Sequence, residues 1–342
     1  MYICHWSNWG VRIAGMYEST KDQIKYERKE GIRSEHADSA RPNPPKENVD
    51  GWHKPITWDE AMDADIWVLH SKIPNELKEF SKTKKRVAIL HGQTEHLMIG
   101  DWQNRNMDFN NHINILWEFD KTVCIFLSDY KILKFYDVKG DRLHYIPHSI
   151  DLDRLKNVTP WEYDYRPAII SCDTPRAEKL PQHIIWAMPY VVEKIPNARL
   201  NLFGLLMEPI ELWRTIFCRS RARCTERVCE NIQLANRNLA PFQAGADIGF
   251  NNNYSGVHSR VVMEMMAQGV PVVSYGGSYT KYHAQTFDIE SIAEQIVKCW
   301  EDLTADGSTL KQDTIKYARK HFDRSKEVKK YIKLYKSLLT RG

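Results

Sequence analysis

The segment from Ala246 to Gly277 constrains the fold most, because it reads as strand, loop, helix, tight turn and strand in immediate succession. A short apolar run is followed by turn-forming residues from Asn251 to Ser255. Apolar residues then recur at helical spacing, at Val261, Val262, Met265 and Met266. Gln268-Gly269 is expected to end this helix with a left-handed glycine, and Pro271 to Ser274 predicts the next strand.

Glu264 lies in the middle of this predicted helix. A carboxylate on a helix that is otherwise built for burial lowers stability unless another group pairs with it. The loop before the helix directs backbone N–H groups, and the positive end of the helix dipole, toward any ligand that binds there. The segment therefore predicts an anion site, and a diphosphate suits it.

These residues resemble the donor-site segment of GT-B glycosyltransferases, in particular the retaining nucleotide-sugar glycosyltransferase family 4. The pattern of that family is a Glu, seven residues, a second Glu, and then Ala-Met-Ala-x-Gly-x-Pro-Val-Val. Here Glu264-Met-Met-Ala-Gln-Gly-Val-Pro-Val-Val273 is similar to its second half, whereas the first Glu falls on Gly256. The resemblance implies a nucleotide-sugar site that lacks one carboxylate contact to the transferred sugar.

Size and composition are consistent with this interpretation. The 342 residues suffice for two domains, and 42% hydrophobic with 27% charged residues indicates a globular chain. No apolar run approaches the roughly 18 residues of a membrane helix. We expect a cytoplasmic protein, because the N-terminus lacks a secretory pattern and the seven cysteines are widely spread. The net charge of +4 permits acidic partners without requiring them.

Apolar runs at α/β spacing predict parallel strands that are covered on both faces. An opening strand precedes the loop from Trp6 to Gly15, which contains Trp9 and Gly10, and a helix follows it. This order is typical of a Rossmann-like half, although the G-x-G-x-x-G of a dinucleotide site is absent, which disfavours a dehydrogenase. Ser34 to Trp58 is polar and proline-rich, so we expect a loop there.

The resemblance extends from about Asp65 onwards and implies an α/β, GT-B fold, with two Rossmann-like domains facing a central cleft. Ile146-Pro-His-Ser-Ile-Asp151 is similar to the last turn of the first domain in that family. We therefore expect an acceptor-side domain at residues 1–155, completed by a C-terminal helix at 322–342. The donor domain is expected at residues 156–321.

The resemblance also implies roles for individual residues. His91 corresponds to a strand-end histidine that contacts the transferred sugar, and His70 ends a neighbouring strand, although either side chain is also compatible with a surface or capping role. Arg176 and Lys179 match two cations that bind the donor diphosphate, or else they are a solvated loop pair. Two cations suit a leaving group on which negative charge grows as the glycosidic bond breaks.

The implied reaction is sugar transfer from a nucleotide-sugar donor, a UDP-sugar first, with retention at the anomeric carbon. Glu264 accepts hydrogen bonds from the ribose, and the backbone at His258, Ser259 and Arg260 holds the diphosphate. No metal or other cofactor is required in this scheme. Asp151-Leu-Asp153 resembles a metal-binding pair, but it overlaps the Ile146–Asp151 segment described above.

Several alternatives remain open at this stage. Gly256 admits a pentose or deoxysugar donor, or a non-catalytic binding module with a degenerate site. A nucleotide-sugar epimerase that shares the GT-B fold is a separate alternative. A glycan or a lipid is the expected acceptor, contacting the loops at 6–15 and 34–58. Glu208 to Glu230 is expected to be helical and arginine-rich, so a viral enzyme that glycosylates hydroxymethylated DNA bases in the host cytoplasm is a further alternative. The oligomeric state is not predicted.

Overall fold

The computed structural model describes residues 1–7, 15–42, 55–70, 74–92, 114–136, 140–172, 179, 181–203, 216–222, 225–230, 238–253, 259–277 and 279–340. The chain divides into two compact units, Met1–Ser149 with Arg324–Gly342, and Ile150–Asp323. Among the described residues, no helix is both long and apolar enough to cross a membrane.

The first unit contains a six-stranded sheet in which all neighbours are parallel, in the order β2-β1-β3-β4-β5-β6. Its strands are β1 (Tyr2–Ser7), β2 (Arg33–Asp38), β3 (Ile66–Leu69), β4 (Lys85–Leu90), β5 (Lys121–Cys124) and β6 (Leu143–Tyr145). Its helices are α1 (Gly15–Lys29), α2 (Trp58–Met62), α3 (Lys78–Ser81), α4 (Leu127–Phe135) and, from the C-terminal segment, α10 (Arg324–Leu339). The strand order reverses between β1 and β3, which is where ligands bind in open parallel sheets.

The prediction of a loop from Ser34 onwards is wrong for residues 34–38, which belong to β2. Two polar side chains of this strand, those of Ser34 and His36, make buried hydrogen bonds instead of facing water. Ser34 Oγ donates to Glu27 Oε2 at 2.6 Å, and His36 Nε2 lies 2.6 Å from Ser7 Oγ. Buried polar groups with partners do not carry the desolvation cost that would exclude them from a strand.

The second unit contains another six-stranded parallel sheet, in the order β12-β11-β10-β7-β8-β9. Its strands are β7 (Ala168–Ser171), β8 (Arg199–Leu202), β9 (Val228–Glu230), β10 (Ile248–Asn251), β11 (Val272–Ser274) and β12 (Tyr282–His283). Its helices include α5 (Pro181–Lys194), α6 (Ala240–Gly245), α7 (Arg260–Ala267), α8 (Ile289–Thr304) and α9 (Leu310–His321). The strand order reverses between β7 and β10.

Two expectations for this unit have clear outcomes. Gly269 has φ of +86° after α7, which confirms the left-handed end of the helix. The expected helix across 208–230 is wrong at its end, because Val228–Glu230 pairs with β8. Residues 216–221 are helical, so part of the arginine-rich segment does follow the prediction.

Gly249 allows α7 to lie close against β10. A Cβ at this position would lie 2.8 Å from Met265 Sδ and 3.0 Å from Val272 Cγ2. We therefore expect Gly249→Ala to lower the free energy of unfolding by about 1–3 kcal/mol, because overpacking displaces the Met265 side chain. Denaturant unfolding measures the change. Gly15→Ala is the matched control, since no described atom lies within 4 Å of its Cβ, and an equal loss in both variants contradicts the packing argument.

Candidate functional sites in the two units

The carboxyl ends of β7 and β10 bring several predicted residues of the second unit to one edge of its sheet. Lys179 follows β7 and forms an isolated antiparallel bridge with Asn253, which follows β10. Ser259 precedes α7, the next helix along the chain. Lys179 therefore follows β7, and the start of α7 follows β10. These two strands are neighbours, and the strand order of the sheet reverses between them.

The start of α7 has the features of an anion site. Ser259 is its N-cap, with extended backbone angles, and its side chain accepts a hydrogen bond from the Val262 N–H at 3.4 Å. The first N–H groups of a helix have no intrahelical acceptor, and the helix dipole places partial positive charge beside them. Arg260, whose side chain is buried, adds a full positive charge to this end of the helix.

Glu264 has the paired environment that its position in the helix requires. Arg260 Nε donates to Glu264 Oε1 at 2.9 Å, and Arg154 Nη2 contacts the same oxygen. The Glu264 side chain is 12% exposed and that of Arg260 is 7% exposed, whereas that of Arg154 is 37% exposed. Arg260 therefore orients the carboxylate from within the helix, and Arg154 reaches it from the surface. Sequence reasoning did not identify Arg154.

We expect Glu264→Ala to lower the free energy of unfolding by about 3 kcal/mol, because it leaves the buried Arg260 without its carboxylate. Arg154→Ala removes the exposed partner of the same carboxylate and is expected to cost less than about 1 kcal/mol. Urea unfolding of both variants gives the comparison. Equal losses contradict the assignment of Arg260 as the buried partner, and Glu264→Ala with Arg260→Leu is expected to recover part of the loss.

Asparagines behind the site are buried, although the sequence suggested only a turn. Asn251 Nδ2 donates to the Tyr279 hydroxyl at 2.8 Å, and Asn252 Nδ2 donates to Ser171 Oγ at 2.6 Å. The second bond joins the carboxyl ends of β10 and β7 directly. These amides fix the backbone at the end of β10, before the segment that leads to α7. In the sequence, three consecutive asparagines follow an apolar strand, and this pattern predicted only a turn.

The first unit holds a different arrangement at the point where its own strand order reverses. His5 Nδ1 lies 3.0 Å from His70 Nε2, and His70 Nδ1 lies 2.9 Å from His91 Nε2. His5 Nε2 lies 2.8 Å from Glu27 Oε2, so four side chains form one continuous chain of hydrogen bonds. We call Glu27, His5, His70 and His91 the histidine array.

The array is fully buried at its inner end, and His91 is its least buried member. Glu27 and His5 are fully buried, His70 is 2% exposed, and His91 is partly exposed. His70 is therefore an internal member of the array and not a surface residue. Nothing in the sequence linked His5 or Glu27 to His91, since they are far apart along the chain.

Burial and a nearby cation keep the outer rings neutral. Burial, assisted by the charge of Arg324, lowers the pKa of His91 to about 3. Burial also holds the pKa of His70 well below its usual value, with His91 and His5 contributing. Arg324 is itself buried and held by two acceptors, the Ser149 carbonyl oxygen at 2.6 Å and Ser19 Oγ at 3.0 Å.

Five of the predicted site residues lie outside the described residues, namely Trp9, Gly10, Arg176, Gly256 and His258. Their roles stay predictions, as do those of His91, Lys179, Ser259, Arg260 and Glu264, whose positions are given above. Within the part of the chain that the structure describes, no cluster of three or more His, Cys, Asp or Glu side chains is arranged to hold a metal ion.

Solved structures of similar fold cover almost the whole chain. Sucrose-phosphate synthase from Thermosynechococcus elongatus superposes with a TM-score of 0.79 at 15% identity, over 100% of both chains. A glycosyltransferase from Rickettsia africae gives 0.71 at 13% identity, over 100% of this chain and 99% of that one. HepE from Anabaena, solved in complex with UDP and glucose, gives 0.71 at 13% identity, over 98% and 100%.

No family model and no curated protein matches this sequence. At these identities the structural likeness establishes the fold alone. The chain has the GT-B fold, with two Rossmann-like domains, which confirms the predicted fold class.

Proposed function

We propose that this chain is a retaining glycosyltransferase that takes its sugar from a UDP-sugar. The observation that carries the proposal is that Lys179, bridged to Asn253, and the capped α7, which carries the oriented carboxylate of Glu264, follow the two strands between which the strand order of the second unit reverses. A nucleoside diphosphate needs this combination: cations and N–H groups for the phosphates, and an acceptor for the ribose hydroxyls. HepE, a protein of the same fold, was solved with UDP.

In this scheme the bond between the anomeric carbon and the diphosphate oxygen breaks, and negative charge grows on the diphosphate. Lys179 and the N–H groups at the start of α7 stabilise that charge, with Arg176 as the predicted second cation. Glu264 Oε1 is engaged by its arginines, so we assign Oε2 to the ribose hydroxyls. A hydroxyl of a glycan or lipid acceptor then forms the new bond on the face that the diphosphate leaves, and its proton passes to the departing diphosphate oxygen. Attack on that face gives retention.

A thermal-shift panel of nucleoside diphosphates and UDP-sugars tests the donor site. We expect UDP to stabilise the native protein most, by about 2.7 kcal/mol at a hundredfold excess over its Kd. Glu264→Gln keeps the size of the side chain and is expected to abolish most of the effect. If no nucleotide raises the unfolding temperature of the wild type, the proposed function is wrong. If GDP or ADP acts instead of UDP, the base assignment is wrong.

A further inference from the structure

A cleft of about 550 Å³ lies at the amino ends of β4, β5 and β6, three neighbouring parallel strands of the first unit. Most of its lining comes from three segments that each lead into one of these strands, at residues 82–86, 117–121 and 141–142. His91 follows the opposite end of β4, which has six residues, so roughly 17 Å of strand separates it from the cleft. The cleft is therefore distinct from the histidine array.

The cleft carries positive charge that the protein itself leaves partly unneutralised. Its lining includes six cations and three carboxylates. Two of the cations have carboxylate partners, since Lys82 Nζ lies 2.8 Å from Glu79 Oε1 and Lys121 Nζ lies 3.4 Å from Asp141 Oδ2. Like charges held close together repel, and a bound anion removes that repulsion. Within the described part of the chain, the cations of the lining that form no ion pair are Lys84, Lys85, Arg86 and Arg142, and we call these four the cleft cations.

The two arginines among the cleft cations are held by the backbone that leads into β5. Arg86 Nη2 donates to the Glu118 carbonyl oxygen, and Arg142 Nη1 donates to the Trp117 carbonyl oxygen at 3.1 Å. Arg86 Cζ lies 5.5 Å from the centre of the Phe119 ring, and Arg142 Cζ lies 5.7 Å from that of Trp117. A guanidinium that donates to one carbonyl keeps further N–H donors for a phosphate. These contacts restrain both side chains before a ligand binds, which reduces the entropy lost on binding.

The dimensions and lining of the cleft indicate a nucleotide instead of a long polyanion. Small-molecule sites commonly measure about 300–1,000 Å³, and the cleft falls within this range. Trp117 is 38% exposed, so part of its ring is accessible to a base, and bases stack on such rings. The three carboxylates of the lining repel a strand that carries phosphates along its whole length, whereas a single nucleotide can keep its phosphates beside the cations.

We propose that the cleft is a second nucleotide site, in which the cleft cations bind the triphosphate of a nucleoside triphosphate and Trp117 stacks on its base. A triphosphate offers oxygens to several cations at once, and hydrogen bonds between charged partners are the strong ones. This inference goes beyond the proposed function and does not depend on it. All residues of the cleft belong to the first unit, whereas Lys179, α7 and Glu264 belong to the second.

Calorimetric titration of the full chain with ATP and with inorganic tripolyphosphate tests the ligand class. We expect ATP to bind about tenfold or more tightly than tripolyphosphate, because only ATP has a base to stack on Trp117. Trp117→Ala is expected to remove this preference and to leave the affinity for tripolyphosphate nearly unchanged. Absence of ATP binding overturns the proposal. Equal affinities in the wild type, or a single-stranded oligonucleotide that binds more tightly than ATP, overturn the assignment to a nucleotide.

Replacement of two neighbouring lysines tests the position of the site. Lys84→Ala combined with Lys85→Ala is expected to weaken ATP binding by about tenfold or more, because charged contacts to the phosphates are lost. The matched control is Lys329→Ala combined with Lys330→Ala, which removes two neighbouring lysines of α10 that do not line the cleft. We expect less than about a twofold change in the control. An equal loss in both double variants overturns the site.

Glu264→Gln separates this proposal from the proposed function. We expect it to abolish most of the stabilisation by UDP, as described above, and to leave the affinity for ATP unchanged. If Glu264→Gln weakens ATP binding as much as the change of Lys84 and Lys85, ATP occupies the second unit and the cleft proposal is wrong. If UDP has no effect on the wild type while ATP binding depends on the two lysines, the proposed function fails and the cleft site stands.

Discussion

Replacing Lys179 with alanine is expected to lower kcat for donor cleavage by about 100- to 1,000-fold, because in the proposed mechanism Lys179 stabilises the developing charge on the diphosphate. Lys179 lies beside Asn253 at the strand reversal of the second unit, next to the segment that leads into α7. Release of UDP from a UDP-sugar into water measures the effect, since this readout needs no knowledge of the acceptor.

Two further variants test whether the loss of activity is specific to Lys179. Lys179→Arg keeps the charge and is expected to retain far more activity than Lys179→Ala. Lys281→Ala removes a lysine of the same unit, which lies just before β12 and pairs with Asp302. We expect kcat to change by less than about twofold in this variant. A similar loss in Lys281→Ala indicates a general effect of charge, and full activity in Lys179→Ala removes the residue from the proposed site.

Mild acid is expected to unfold this protein, starting below about pH 6.5, because buried histidines resist protonation in the folded state. Burial lowers the pKa of His36 to about 3, with His5 contributing, and His70 and His91 are lowered as described above. The unfolded chain binds protons at these rings near pH 6.5 and the folded chain does not, so stability falls as pH falls. Each ring that stays neutral contributes about 1.4 kcal/mol per pH unit, and for His36 and His91 this continues down to their folded pKa of about 3.

Glu27 adds a second loss at lower pH. Its folded pKa is depressed, so the stability that it provides is present above its unfolded pKa and is lost as pH falls through the folded value. Urea unfolding at several pH values between about 7.5 and 4.5 measures the slope of stability against pH. His36→Gln is expected to reduce that slope by about one proton, whereas Tyr17→Phe, beside the same ring, leaves it unchanged. A flat profile contradicts the prediction.

The local sequence pattern was sufficient to predict elements whose bounds depend on neighbouring residues, such as α7. The spacing of Val262 and Met266, followed by Gln268 and Gly269, specifies one helix and its end within a few residues. The carboxylate of Glu264 in that helix predicted a paired site, and the structure supplies two arginines. Arg260 is one turn away and was identifiable, whereas Arg154 comes from a distant segment that no periodicity connects to α7.

The histidine array could not be predicted from the sequence either, because its members also come from distant segments. His91 was identifiable as the end of an apolar strand, but its partners depend on the order of strands in the sheet. β1 and β3 are neighbours only because the chain crosses over β1 after β2. A polar strand such as β2 also cannot be recognised by apolar alternation, since Ser34 and His36 are buried through hydrogen bonds to α1 and β1.

The position of α10 has a consequence for the order in which the two units fold during synthesis. Tyr331, Tyr335 and Leu338 pack in the core of the first unit, and Arg324 donates a hydrogen bond to the carbonyl oxygen of Ser149, in the N-terminal segment of the same unit. The ribosome makes this helix only after all of the second unit, Ile150–Asp323, has been made. The second unit can therefore complete its core while the chain is still growing, and the first sheet lacks the apolar contacts of α10 until residue 338 has emerged. The domain that is translated first is the one that finishes folding last.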